Sequence, residues 1–249
     1  MKVQSPSSSI PKKRSESSQE SWTSNRALAE LRRLGERRNV EGMARFGIVA
    51  KNVLGVAKPK MDVLARKIGR DHRLALELWE TGVHDARILA GMIDEPKQVT
   101  AAQMNRWVRD FDNWDVCDGT CCHLFAFAAP AWNRAVAWTK RSKEFEKRAG
   151  FALIAYLAYR DKTAKDSQYI KTLPLLLREA HDDRNFVRKA VNWALRNIGK
   201  RNPNLNRAAI RAAEKMIALN SRSARWIAAD ALRELKSDAI QSRLRRKKA

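Results

Sequence analysis

Phe186-Val-Arg-Lys-Ala-Val-Asn-Trp-Ala-Leu-Arg196 is the stretch whose reading decides the architecture. It opens on a basic turn and continues as an Ala-rich apolar stripe. Its apolar residues recur every three or four positions, the period of one helix face rather than the alternation of a strand. Two other stretches read the same way. Phe145-Glu-Lys-Arg-Ala149 runs on to Ala155-Tyr-Leu-Ala158, and Ala224-Arg-Trp-Ile227 runs on to Ala231-Leu-Arg233. With Arg148, Lys189 and Arg225 as markers, the steps are 41 residues (148 to 189) and 36 residues (189 to 225).

Two helices per step of about 40 residues is the period of HEAT-like repeats. Small Ala side chains let the second helix of each pair approach its neighbours closely. The expected fold is therefore all-α: a HEAT-like helical repeat solenoid of about six antiparallel helix pairs. The basic turns of its second helices would line a curved cradle. The alternative is a plain helical bundle whose basic residues form a solvated face.

The rest of the chain fits either architecture. Ala27, Leu28, Leu31 and Leu34 make one apolar stripe; Met61, Val63, Leu64 and Ile68 make another, just after Pro59 in a helix-start position. Leu74 to Trp79 and Ile88 to Ile93 follow, and Pro96 opens a segment carrying Met104 and Trp107. Further helices are expected to start near Asn113, Pro130, Lys143, Asp166, Asn185, Pro203 and Ser221, which makes about twelve in all. Trp79, Trp107, Trp132, Trp138 and Trp226 read as core or repeat-interface residues. Ten Gly and seven Pro in 249 residues are too few for an all-β fold with its many turns.

The ends differ from the middle. Residues 1–24 form a Ser-rich leader, with Lys12-Lys13-Arg14 and few apolar side chains, and are expected to be disordered. Glu16 and Glu20 argue against a targeting peptide. Residues 25–240 form the repeat domain. Residues 241–249 are expected to be a frayed basic tail, with five basic residues between Arg243 and Lys248.

Charge narrows the function. There are 50 Lys and Arg against 27 Asp and Glu, a formal net charge of +23. Such an excess on a folded domain is self-repulsive unless a polyanion relieves it, and it is spread along the chain. Nucleic acid is the first candidate and an anionic membrane surface the second. The longest stretch free of Asp, Glu, Lys and Arg, Gly119–Asn133, contains Pro130 and is too short to span a bilayer. Three Cys exclude a disulfide-stapled domain and suit a reducing compartment.

Chemistry concentrates in Asn113-Trp-Asp-Val-Cys-Asp-Gly119. Trp114 and Asp118 are four apart and share one helix face. Asp115 suits the first turn, where the helix dipole favours a carboxylate. Asp118 heads an otherwise apolar run and needs a partner or a task. A metal is a poor reading of the neighbouring Cys117, Cys121, Cys122 and His123, because one helix cannot wrap four ligands around zinc; buried free thiols are expected instead. A Cys122–His123 catalytic pair is also poor, since adjacent helix positions do not face each other. There is no phosphate-binding Gly loop, dinucleotide fingerprint or helix-hairpin-helix signature, and no cofactor is implied.

At this point the chain resembles the DNA alkylation repair glycosylases of the AlkD type. The resemblance covers about residues 25–240. It is carried by Met43-Ala-Arg-Phe46 through Leu54-Gly55, by Trp114-Asp115-Val116-Cys117-Asp118, by Lys147-Arg148-Ala149 and by Arg188 to Arg196. Val116 and Cys117 depart slightly from the family pattern. The resemblance implies that Trp114, Asp118, Arg148 and Trp193 are the functional positions. It implies hydrolysis of the N-glycosidic bond at cationic alkylated purines, such as N3-methyladenine and N7-methylguanine, in duplex DNA. It implies a bacterial cytoplasm and a base left unburied; the lack of an identifiable Schiff-base lysine points to a monofunctional enzyme, expected to act as a monomer.

The chemistry of that reaction is consistent with one carboxylate. Alkylation makes the base cationic, so it leaves neutral and needs no general acid. The remaining difficulty is positive charge developing on deoxyribose, which a fixed carboxylate such as Asp118 can stabilise. Sugar hydrolases usually need two. Trp114 and Trp193 offer rigid faces for deoxyribose, and Arg148 is expected to hold a phosphate in a forked contact. Lys189, Arg196, Lys200 and Arg225 are the further expected DNA contacts. The alternative is a non-catalytic scaffold binding nucleic acid or a protein partner; a carboxylate facing phosphates would only weaken such binding.

Overall fold

The computed structural model describes residues 21–48 and 52–246, and their regular structure is entirely helical. In chain order the helices are α1 (Ser24–Leu34), α2 (Arg37–Arg45), α3 (Lys58–Ile68), α4 (His72–Glu80), α5 (His84–Ile93), α6 (Ala101–Trp107), α7 (Trp114–His123), α8 (Ala131–Trp138), α9 (Glu144–Arg160), α10 (Asp166–Glu179), α11 (Asn185–Gly199), α12 (Pro203–Ile217), α13 (Arg222–Leu235) and α14 (Asp238–Arg246). Polar caps explain many starts. Thr23, Asp71, Thr100, Asn113, Asn202 and Ser221 each accept a hydrogen bond from a backbone N–H of the first turn. Pro203 begins α12, where its missing N–H costs nothing.

The helices stack in two layers. α5, α7, α9, α11 and α13 form one row, each against the next. α4, α8, α10 and α12 form the other, packed on α5, α9, α11 and α13 respectively. Contacts thus run between neighbours in sequence, as in a solenoid. α9 lies deepest. Eleven of its 17 residues are buried, among them Phe151, Leu153 and Ile154. A helix apolar on all sides needs neighbours on all sides, and α7, α8 and α11 supply them. Each such large side chain contributes about 1.5–3 kcal/mol by leaving water. Gly150 lets α8 come this close: a Cβ there would lie 2.6 Å from the Thr139 backbone nitrogen and 2.9 Å from the Ala135 carbonyl oxygen.

Aromatic rings fill the first half of the core. Trp79 and Trp107 stack with centroids 3.9 Å apart, and Phe125 bridges from Trp107 to Trp138. Where an indole N–H is buried it generally finds an acceptor, as Trp79 does on Asp110 and Trp138 on Asn105.

Four expectations change. The segment after Pro96 begins its helix at Ala101, because Thr100 rather than Pro96 caps it. Trp226 is not a core residue; it is 40% exposed, at the edge of the α11–α13 interface. The folded body begins before residue 25, since Arg26 lies over the Trp22 ring. At the other end residues 238–246 are helical, with Leu244 buried. Residues 1–20 of the leader and 247–249 of the tail lie outside the described residues.

Candidate active site

α7 is placed by its first turn. The Asn113 side-chain oxygen accepts the N–H groups of Asp115 and Val116 at 3.0 Å each. Buried His84 reaches Asn113 through Nδ1 and Asp115 through Nε2, both at 3.3 Å. That fixes where Trp114 and Asp118 point. The Trp114 indole N–H donates to the Phe46 carbonyl at 2.9 Å, tying α7 to the end of α2.

Asp118 meets Arg148 of α9. The guanidinium Nε donates to Oδ1 at 2.9 Å and Nη2 to Oδ2 at 2.6 Å, a forked contact. The third nitrogen, Nη1, donates to the Phe186 carbonyl at 2.7 Å, at the start of α11. The arginine side chain therefore joins α7, α9 and α11. The phosphate grip expected of Arg148 is accordingly revised, since its fork is closed on Asp118. The physical reason is burial. A carboxylate whose side chain is only 15% exposed needs a hydrogen-bonded countercharge, and Arg148 is the cation that α9 places opposite it.

Electrostatics follow from that placement. Burial pushes the Asp118 carboxyl above its ordinary value, and the Arg148 guanidinium offsets this only in part. Asp118 in turn keeps Arg148 firmly charged against its own burial. Burial also pushes the Cys117 thiol well up, so it stays protonated.

The sequence reading missed Tyr156. It lies two turns beyond Arg148 on α9, so it shares that face. Burial raises its phenol well above the ordinary range, and the nearby Cys122 and Asp118 add to the effect. Trp193 of α11 packs edge-on against it, with centroids 4.8 Å apart. The eight-residue spacing from Arg148 to Tyr156 was the available signal. Cys122 was likewise seen only as a thiol; it accepts from Arg160 at 3.1 Å.

Two cavities flank this group. One, about 700 Å³, is lined by Met43, Phe46, Val56, Ile88 and Trp114 with His84 on its polar side. The other, about 530 Å³, is lined by Tyr156, Trp193, Asn197 and Lys200. Asp118 lines neither. Of the four expected functional residues, Asp118 and Arg148 are in direct contact. Trp114 is one helical turn away, and Trp193 joins through Tyr156.

The expected DNA contacts divide. Arg196 pairs with Glu234 at 2.7 Å and lies 3.7 Å from Asp230, and Lys200 pairs with Glu234 at 2.8 Å. These two are not open cations, because α13 presents carboxylates to them. Lys189 and Arg225 are exposed, with no carboxylate in ion-pair range among the described residues.

Comparison with known proteins shows the family and the fold. Residues 27–235 match the family model described as DNA alkylation repair enzyme. The chain belongs to that family. No curated protein matches it. A solved structure described as a member of "a new family of proteins related to the HEAT-like repeat DNA glycosylases with affinity for branched DNA structures" is similar in fold, with TM-score 0.71 and 22% identity, covering 86% of this chain and 95% of that one. This member of the DNA alkylation repair enzyme family therefore has a HEAT-like repeat fold, with the Asp118–Arg148 pair at the junction of α7, α9 and α11.

Proposed function

We propose that this protein is a monofunctional DNA glycosylase that releases cationic alkylated purines, such as N3-methyladenine and N7-methylguanine, from duplex DNA. The observation that carries the proposal is the forked Asp118–Arg148 pair, which holds one carboxylate in a fixed orientation with an edge still open to solvent. Arg148 positions that carboxylate, and each oxygen keeps a lone pair for other work. As the glycosidic bond breaks, the bonding electrons go to the already cationic base, which leaves neutral. Positive charge develops on deoxyribose and is stabilised by Asp118. Asp118 also orients the attacking water and takes its proton. Burial makes this carboxylate a better base than an exposed one. Trp114 and Trp193 supply faces for the sugars beside the lesion, and Lys189 and Arg225 supply phosphate contacts. The base itself need not be enclosed.

A second reading is favoured by the same closed pair. With three nitrogens of Arg148 satisfied inside the protein, the site is also a stable structural junction. The protein would then be a non-catalytic binder of DNA, in keeping with the branched-DNA affinity ascribed to the similar solved structure.

The deciding experiment is base release from a duplex carrying one N7-methylguanine and from one carrying N3-methyladenine, for wild type and Asp118→Asn. Asn keeps an acceptor for Arg148, and circular dichroism checks the fold. The expected result is release by wild type and at least a ~100-fold loss in the variant, with duplex affinity equal or higher. Release that survives in Asp118→Asn removes Asp118 from the chemistry. Absence of release from either lesion by wild type, with intact binding, favours the second reading.

A further inference from the structure

The C-terminal repeats place their compensated and uncompensated cations at opposite ends. At the far ends of α11 and α13, Arg196 and Lys200 are neutralised by Asp230 and Glu234. At the near ends, Lys189, Arg222 and Arg225 are exposed, and none has a carboxylate in ion-pair range among the described residues. The first turns of α11 and α13 hold no acidic residue, whereas that of α9 carries Glu144 and Glu146. Asp183 is the exposed carboxylate just before α11, and Asp182 is spent on Lys147 and Arg184. Both helix ends are capped from within the protein, α11 by Glu144, whose Oε1 accepts the Phe186 N–H at 3.2 Å, and α13 by Ser221, so the open positive charge at this end is that of the exposed side chains.

Trp226 sits in the middle of this patch. Trp79, Trp107 and Trp138 are fully buried, but Trp226 is not, and it adds little to the core. The Arg188 guanidinium lies over its ring, 5.1 Å from the centroid. An Arg stacked on an exposed indole, ringed by open cations, is the composition of a stacking platform for an unpaired base. A fully paired duplex offers phosphates to the cations but no free base face to the indole.

We propose that Trp226 with Arg188 forms a second DNA contact, which stacks an unpaired base and makes the protein prefer DNA with a gap or branch to one side of the Asp118 site. This deepens the DNA-binding reading above and does not need the glycosylase step. The path to the site is continuous: Arg148 bonds the first turn of α11 at Phe186, and Arg188 of α11 lies on Trp226 of α13. Three interhelix steps of 8–10 Å separate α7, which carries Asp118, from α13. The platform is therefore about 27 Å from Asp118, or about eight base pairs at 3.4 Å each.

The test is affinity by fluorescence anisotropy for a 25-mer duplex and for the same duplex with a three-nucleotide single-stranded gap. Wild type, Trp226→Ala, Trp226→Phe and Arg188→Ala are compared at fixed salt. Wild type is expected to bind the gapped DNA about tenfold tighter than the duplex, the worth of one stacked base. Trp226→Ala should lose that preference while keeping duplex affinity and melting temperature. Trp226→Phe should keep most of it, and Arg188→Ala should weaken both affinities and reduce the ratio. An unchanged ratio in Trp226→Ala overturns the platform and leaves the exposed indole to a protein partner. Release of N7-methylguanine and of N3-methyladenine from paired duplex is measured in parallel. Absence of both would sink the glycosylase reading alone, because the affinity ratio is read without chemistry.

Discussion

Arg148 and Arg225 occupy matching places two repeat steps apart, yet one is sealed and the other open. Arg148 is 7% exposed and closed on Asp118. Arg225 stands in solvent beside Trp226. The difference lies in what the preceding helix of the row presents. α7 offers Asp118 to α9. α11 offers Arg188 and Lys189 to α13 at the equivalent level. A repeated basic turn is thus closed on a carboxylate where one faces it, and stays open to solvent where cations face it.

The comparison can be sharpened by packing first. Gly150 is two residues beyond Arg148, and a Cβ there meets backbone atoms of α8, which cannot move aside cheaply. Gly150→Ala is expected to cost about 3 kcal/mol by denaturant melt. Gly199, in the open half, would meet mainly the methyl ends of Leu235. Those can rotate, so Gly199→Ala should cost about 1 kcal/mol. Equal costs would mean that the two halves are packed alike.

Acid separates the two regions in a different way. Asp118 has its pKa raised by burial. Beside it, the carboxylates of the α9–α10 ion network move oppositely. Burial pushes Asp182 up, but hydrogen bonds from Arg184 and Lys147 hold it below its ordinary value. A depressed folded pKa contributes stability that is complete above the ordinary carboxylate range and is lost as pH falls through the folded value. Asp118 therefore takes its proton before Asp182 does. Base release should vanish at a higher pH than the one at which helical circular dichroism is lost. Coincident loss of both would place the titrating group in the fold rather than in the site.

The smallest effect is expected from Glu234→Gln. It removes the carboxylate that Lys200 and Arg196 share. Duplex affinity should rise a few-fold, and the dependence of log affinity on log salt should steepen by about one. An unchanged slope would show that these cations do not face DNA even when released.

Much of this was legible in the sequence. Starts at Asn113, Pro130, Lys143, Asn185, Pro203 and Ser221 agree with the observed helices to within a residue. Caps and three-to-four spacing are local properties, written within a few residues. The repeat step was legible for the same reason. Asp118, Arg148, Trp114 and Trp193 could be named from motif positions. Their relations could not. Tyr156 looked like one more aromatic in an apolar helix, and Arg196 and Lys200 looked like open cations.

What the sequence by itself determined is the helical content, the order of the repeats and a carboxylate that needs a partner or a task. Only the tertiary structure decided what each charge faces. Arg148 and Asp118 are 30 residues apart, as are Lys200 and Glu234 to within a few. A charge's partner is set by which helices lie side by side, and that depends on close packing such as Gly150 allows. Burial then determines whether a lysine or arginine must be neutralised from within the protein or stays available to a phosphate.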